Sequence, residues 1–329
     1  MEINRRDFLS LSLLLGANLL LPNKASAGIS ERIFLTGYDK LIKNPIGILA
    51  QKVAVELSLY NQEWAYHLKA RLGNHTMNAP IQIKESPADG RSILLAVSPQ
   101  MTIFPAIYKQ LPYNPLEDFT PLVLLGGYTF LITLGPVVDR SVKTIDDYVD
   151  WVLEHPNYRD IGFAQYGSSG HMAMKILSRS KKIALRPLPY RDFPPLIQDL
   201  KSSNLAAAII LTGIATPLFK KNIFRAIAAT SRHRHLGWED VPTAREQGIP
   251  NMNISGWAGL FLHSQTPHSI YQPLLQSMQE ITDSLDYIAR LRKYSLIQLP
   301  DTPERISKRI VREQKYYQRL VENFRFTRL

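Results

Sequence analysis

Short runs of consecutive apolar residues recur along the chain, separated by segments of mixed polarity. Such a run, bounded by turn residues, is typical of a strand that is covered on both faces, as in a parallel sheet. The predicted strands are residues 33–35, 93–97, 122–125, 130–134, 161–163, 206–211 and 226–229, with a weaker candidate at residues 81–83.

Helical periodicity and helix-start signals fill the segments between these runs. Residues 48–57 repeat apolar positions at helical spacing. Thr144, with Asp147 three residues later, predicts an N-cap and a helix that continues to about Glu154. Thr266 and Thr302 each precede a proline, which predicts a capping residue followed by the first helical position. Alternating strands and helices predict an α/β protein with mostly parallel sheets.

The chain shows no internal repeat and no low-complexity linker. Its 329 residues are enough for two lobes. Without a linker, two lobes would be joined by strands that cross between them, and such strands form a hinge.

The N-terminal residues have the features of an export signal. Arg5 and Arg6 precede an apolar run at residues 11–21, and small residues follow at residues 25–27. This order predicts a signal peptide that is cleaved after Ala27, and the paired arginines favour the twin-arginine route. An uncleaved anchor is the alternative, but the run is shorter than the roughly 20 residues that cross a bilayer.

The chain is basic, with a formal net charge of +11 and a pI of about 9.7. The densest basic segment falls on a predicted C-terminal helix, where Ile306, Ile310, Tyr317 and Val321 form one apolar stripe. The basic residues of that helix are Arg305, Lys308, Arg309, Arg312, Lys315 and Arg319. A solvated basic face is the favoured interpretation, because no nucleic-acid-binding signature accompanies it. The chain contains no cysteine, which excludes disulfides, thiolate metal sites and cysteine nucleophiles.

Catalytic motifs are missing from the sequence. It contains no zinc-protease motif, no phosphate loop and no dinucleotide fingerprint. Ser168 and Ser169 each fail the Gly-x-Ser-x-Gly pattern of a hydrolase. His233 and His235 flank an arginine, so we expect surface histidines rather than metal ligands. The sequence therefore predicts a protein that is not an enzyme and that has no metal or cofactor.

The segment Gly167-Ser168-Ser169-Gly170-His171 lies between a predicted strand and a predicted helix. Small residues let backbone N–H groups face a ligand, serine hydroxyls add donors, and the helix dipole favours a negative charge at this end. One interpretation is an anion-binding loop. The other is an ordinary strand-to-helix turn in which a serine caps the helix, and the segment alone does not decide between them.

Several longer segments resemble the tripartite tricarboxylate transporter receptors, also called TctC-like or Bug proteins. They are residues 107–121 with the sequence Ile-Tyr-Lys-Gln-Leu-Pro-Tyr-Asn-Pro-Leu-Glu-Asp-Phe-Thr-Pro, then residues 167–171, 189–191, 225–231, 240–248, 257–260 and 266–267. In order and spacing they extend over nearly all the chain that follows the predicted signal.

This resemblance implies a periplasmic receptor with two α/β lobes, similar to type 2 binding proteins. The implied boundaries are 1–27 for the signal, 28–127 and 247–329 for the first lobe, and 128–246 for the second. The expected ligand is an organic carboxylate held between the lobes and delivered to a membrane permease, with the receptor as a monomer. The expected ligand-binding residues are Tyr38, Ser98, Pro99, Gly167, Ser168, Ser169, Gly170, His171, Tyr190 and Thr212.

The chain departs from the family pattern at two places. The glycine pair expected after the first strand is replaced by the sequence Thr-Gly-Tyr-Asp-Lys-Leu-Ile-Lys-Asn at residues 36–44, which removes the close backbone approach that glycine permits. Ile210 stands where the family has an aspartate, so we expect an acid without an amino group. Two alternatives stay open: a receptor-like sensing or scaffold protein, and an exported α/β hydrolase.

Overall fold

The computed structural model describes residues 30–38, 45–219 and 221–329. The predicted signal peptide and the lysines at positions 40 and 43 lie outside the described residues. No described helix is both long enough and apolar enough to cross a membrane.

The described strands are β1 (Ser30–Thr36), β2 (Trp64–Ala70), β3 (Ser92–Val97), β4 (Phe119–Leu134), β5 (Asp160–Ala164), β6 (Arg186–Tyr190), β7 (Ala207–Leu211), β8 (Arg225–Ala229) and β9 (Ser255–His263). They form one nine-stranded sheet with the order β2-β1-β3-β9-β4-β7-β5-β6, and β8 pairs with β4.

Helices pack against this sheet. They are α1 (Pro45–Tyr60), α2 (Asn78–Glu85), α3 (Phe104–Ile107), α4 (Ile145–Glu154), α5 (Ser169–Ser180), α6 (Phe193–Lys201), α7 (Thr212–Phe219), α8 (His268–Asp283), α9 (Leu285–Lys293) and α10 (Pro303–Asn323). A π-helical turn at Pro99–Ile103 and 3₁₀ turns at Asn74–Thr76 and Pro156–Tyr158 complete the described elements.

The long strand β4 divides the sheet into two halves. It pairs with β9 from Phe119 to Thr129 and with β7 from Phe130 to Leu134. We call β2, β1, β3, β9 and the first part of β4 the first half-sheet, and the rest the second half-sheet. Pairs within the outer parts are parallel, whereas β4 and β9 pair antiparallel with their neighbours. The expected two-lobed α/β fold is confirmed, and the boundaries at residues 127 and 246 stay predictions.

The strand directions place the ends of the two half-sheets face to face. β3 and β4 both run antiparallel to β9, so β1 and β3 point along β4 toward the second half-sheet. β7 runs antiparallel to β4 and parallel to β5, so both point back toward the first half-sheet. The carboxyl ends of all four strands therefore meet near the middle of β4. Crevices at such ends are where open α/β sheets bind ligands.

A buried threonine joins the strands that cross between the halves. The Thr230 hydroxyl donates to the Ile254 carbonyl at 2.6 Å and accepts from the Phe130 N–H at 3.3 Å. Its backbone N–H donates to the Phe130 carbonyl at 3.0 Å, and its carbonyl accepts from the Ile254 N–H at 2.8 Å. Thr230 thus links β4, the chain that leaves β8 and the chain that enters β9.

Some sequence-based element predictions are wrong. Residues 81–83 belong to α2, because they lie within a helix that buries Ala79, Pro80 and Ile83 on one face. The runs at 122–125 and 130–134 are parts of the single strand β4. Pro267, rather than Thr266, is the N-cap of α8. The N-cap of α4 at Thr144, which the structure shows to be part of a capping box with Asp147, and the Thr302 cap of α10 are confirmed.

Candidate functional site

Ser98 and Pro99 begin the turn that follows β3, at the carboxyl end of the first half-sheet. Pro99 is the first residue of a wholly buried π-helical turn, a geometry that is frequent at functional sites. The Ser98 hydroxyl accepts from the backbone N–H of Trp257 at 3.3 Å and also interacts with the Tyr128 phenol. Gln100 fixes the turn by accepting from the Val97 N–H at 3.0 Å. Ser98 is therefore held rigidly, with its side chain toward Tyr128.

The corresponding loop of the second half-sheet follows β5 and ends in the first turn of α5. The Ser168 side chain is the N-cap of α5 and accepts from the His171 N–H at 3.3 Å. Gly167 has a φ of 77°, and a Cβ added there would lie 2.7 Å from Cδ1 of Ile107. Glycine is favoured at this position both by its φ and by its close approach to Ile107. The serine-cap interpretation is thus correct for Ser168. Ser169 is not the cap but the first residue of the helix itself.

Ser169 and Gly170 are buried in the first turn of α5. The Ser169 hydroxyl lies beside the Tyr317 phenol of α10, but it completes no hydrogen bond of standard geometry. It is a neutral donor at a helix N-terminus, where a negative charge is favoured. The hydroxyl is therefore a candidate donor to an anion.

His171 is neutral and closely surrounded by aromatic rings. Its Nδ1 accepts from the Gly167 N–H at 3.3 Å. Burial, assisted by the nearby Lys175, lowers the pKa of His171 to about 4. Since Nδ1 is an acceptor, the proton of the neutral ring is on Nε2, which is buried without a hydrogen-bond partner. His171 thus supplies a second unused donor in the same loop.

Tyrosines occupy the space around Ser98. Burial raises the pKa of Tyr38 to about 12 and also raises the pKa values of Tyr128 and Tyr317. The carboxylate of Glu313 on α10 also raises the pKa of both Tyr128 and Tyr317. All three phenols therefore stay protonated at neutral pH and can act as hydrogen-bond donors.

Buried polar atoms that complete no hydrogen bond of standard geometry come from both sides of this region. On the side of the first half-sheet they are the Thr76 hydroxyl and the Tyr108 phenol; on the other side they are Oγ of Ser169 and Nε2 of His171. Most buried polar groups are hydrogen-bonded, and an unsatisfied one costs about 1–3 kcal/mol. Four such atoms from facing loops are suited to binding a polar ligand.

Tyr190 and Thr212 are engaged elsewhere. The Tyr190 hydroxyl donates to Asp199 at 2.8 Å, and the Thr212 hydroxyl donates to the Ser295 carbonyl at 3.2 Å. The structure therefore brings together the loops of Tyr38, Ser98 and His171. The hydroxyls of Tyr190 and Thr212, in contrast, are hydrogen-bonded within the protein.

Two inferences from the sequence need correction. His235 is buried rather than at the surface, and its Nε2 lies 2.9 Å from the Ser295 carbonyl. Ile210 packs in an apolar cluster with Leu131 and Phe224, so its side chain lies in the core. The absence of an acid at position 210 therefore does not exclude an amino group on the ligand.

Tyr128 and Tyr317 were missed by sequence reasoning. Tyr317 appeared only as a member of the apolar stripe of α10, together with Ile306 and Ile310. A tyrosine in an otherwise aliphatic stripe is a usable signal, because a buried phenol needs a polar partner.

Neither serine is arranged as a nucleophile. No described imidazole or carboxylate is hydrogen-bonded to Ser168 or Ser169, and among the described residues no group of three or more potential ligands could hold a metal ion. The site consists of neutral donors on facing loops at the carboxyl ends of strands. Such an arrangement is suited to holding a solute between the two half-sheets.

Comparison with known proteins identifies the family. The model of the tripartite tricarboxylate transporter family receptor matches residues 68–324, and the chain belongs to this family. A relative from Pseudomonas sp. strain P51, the UPF0065 protein in the tcbD-tcbE intergenic region, is 26% identical over 74% of this chain and 72% of its own length.

Solved structures show the same fold. An R. palustris protein with adipate has a TM-score of 0.82 at 18% identity, covering 90% of this chain and 98% of that one. MatC from Rhodopseudomonas palustris with bound malate has a TM-score of 0.78 at 21% identity, covering 89% of this chain and 99% of that one. The periplasmic binding protein BugD has a TM-score of 0.79 at 19% identity, covering 90% of this chain and 97% of that one.

Proposed function

We propose that this receptor binds an organic carboxylate between its two half-sheets and delivers it to the membrane permease of a tripartite transporter. The observation on which this depends is the pair of facing loops, with Ser98 on one side and Ser169 and His171 on the other. Their donors are neutral and partly unused, which suits a carboxylate that would leave water and accept several hydrogen bonds at once. The malate and adipate bound to proteins of the same fold support this chemical class.

The receptor acts without chemical conversion of its ligand and, in this proposal, as a monomer. It is exported, cleaved after Ala27 and released into the periplasm. N-terminal sequencing of the mature protein should give Gly28 as the first residue. Replacing Arg5 and Arg6 by lysine should retain the precursor in the cytoplasm if the twin-arginine route is used; normal export of that variant would contradict this route.

Two adjacent serines provide a matched test of the site. Ser169→Ala should weaken carboxylate binding about 10- to 100-fold, because a hydrogen bond to a charged group is worth about 1.5–3 kcal/mol. Its melting temperature without ligand should change little, since the Ser169 hydroxyl completes no standard hydrogen bond in the structure. Calorimetric titration and thermal unfolding, each with malate and adipate, would measure both quantities.

Ser168→Ala is the control. It removes the N-cap of α5 and should reduce stability by about 1 kcal/mol, with a smaller loss of affinity than Ser169→Ala. The opposite order, with affinity more sensitive to Ser168, would contradict the proposed site. Ester hydrolysis by the pure protein that either variant abolishes would contradict the receptor function itself.

A further inference from the structure

We propose that Phe326 determines how firmly the site closes, because the segment after α10 holds its ring against the anion-binding loop of the opposite half-sheet. This inference goes beyond the proposed function, and only the second part of its test depends on that function. We call residues 324–329 the strap.

Backbone hydrogen bonds fix the strap to the first half-sheet side. The Leu329 N–H donates to the Ile107 carbonyl at 2.7 Å, and the Lys109 N–H donates to the Leu329 carbonyl at 2.9 Å. The Arg328 guanidinium also donates to the Tyr108 carbonyl at 3.3 Å. The strap therefore pairs with the chain that follows α3, beside the turn of Ser98.

The Phe326 ring reaches across to the second half-sheet. Its centroid lies 5.9 Å from that of His171, at an interplanar angle of 83°. His171 also stacks on Phe163 at 4.9 Å and 18° and lies 4.2 Å from the ring of Tyr166. Phe163 and Tyr166 belong to the same half-sheet as His171, so Phe326 is the ring of this group that comes from the other side.

The strap lies where the two sides are in contact. Ile107, whose carbonyl binds Leu329, is also the residue that a Cβ on Gly167 would meet at 2.7 Å. Tyr317 of α10 lies beside Ser169 in the same loop. Opening the site would separate Gly167 from Ile107 and His171 from Phe326 together. The Phe326 contact therefore opposes opening at the loop that we assign to the ligand.

The expected size of the effect follows from ring pairing. The stabilisation from one edge-to-face aromatic pair changes an equilibrium constant, here that for opening of the site, by a factor of about 2 to 12. Removing the ring should shift the opening equilibrium by this factor without unfolding the core, because Phe326 is only partly buried.

The first test uses the full chain without any ligand. In Phe326→Ala, hydrogen exchange of the Gly167 and His171 amides should accelerate about 2- to 12-fold, since opening exposes both. Phe219→Ala is the matched control: it removes an edge-to-face ring pair, with Trp238 at 4.9 Å and 90°, in the apolar cluster of the second half-sheet. Unchanged exchange at both amides in Phe326→Ala, or equal acceleration in the control, would overturn the proposal.

The second test measures release of adipate or malate, whichever the wild-type protein binds. Stopped-flow dissociation should be about 2- to 12-fold faster in Phe326→Ala and unchanged in Phe219→Ala. Release at the wild-type rate from both variants would overturn the closing role while leaving the receptor function intact. If the wild type binds no carboxylate, the proposed function fails, and the exchange experiment still decides the role of Phe326.

Discussion

At the scale of single residues, His171 links the chemistry of the site to stability. Burial holds its pKa at about 4 in the folded protein, whereas an unfolded histidine titrates near 6.5. Between these values the unfolded state binds more protons than the folded state, so the free energy of unfolding falls as the pH falls from about 6.5 to about 4. Above pH 6.5 His171 is neutral in both the folded and the unfolded state, so the loss of stability that it causes disappears.

The predicted loss attributable to His171 is about 3 kcal/mol across this range. Urea unfolding at several pH values should show a flatter profile for His171→Gln than for the wild type. His235 is also buried, which lowers its pKa and adds a loss in the same direction, so the difference between the two profiles is the relevant quantity. Parallel profiles for the wild type and His171→Gln would contradict the assignment.

At the scale of elements, Thr230 stabilises the point where the chain crosses between the two half-sheets. Thr230→Val preserves shape but leaves the Ile254 carbonyl and the Phe130 N–H without the buried hydroxyl. We expect a loss of about 1–3 kcal/mol in the free energy of unfolding, measured by urea denaturation. Thr282→Val is the matched control, because that buried hydroxyl bonds only to carbonyls within its own helix. Equal losses in both variants would show that the crossing point has no special role.

The sequence predicts these elements unevenly, for physical reasons. Helix caps such as Thr144 and Thr302 depend only on a few neighbouring residues, so the sequence predicts them. The sequence does not predict that β4 is continuous, because Gly126 and Gly127 are typical of a turn between two strands. Their pairing with β9 shows that the strand continues through them. The strap is also invisible, since the pairing of Leu329 with Ile107 joins residues that are more than 200 positions apart.

At the scale of the whole molecule, the fold follows from alternation of strands and helices, but the site depends on how the two half-sheets meet. The loops of Ser98 and His171 were identified through family resemblance and local composition. The roles of Tyr128 and Tyr317 depend on the positions of β4 beside Ser98 and of α10 beside Ser169. Conversely, the resemblance implies that Tyr190 and Thr212 bind the ligand, yet their hydroxyls are hydrogen-bonded to Asp199 and to the Ser295 carbonyl.

The central claim, that this receptor binds a carboxylate, is tested most directly by calorimetric titration of the purified mature protein. Malate and adipate would be titrated beside their neutral diamides, which match them closely in shape but lack the negative charge. We expect saturable binding of at least one organic acid, with its diamide bound at least tenfold more weakly, and loss of that preference in Ser169→Ala. Binding of the diamides as tightly as the acids, or of cationic compounds alone in a wider screen, would contradict it.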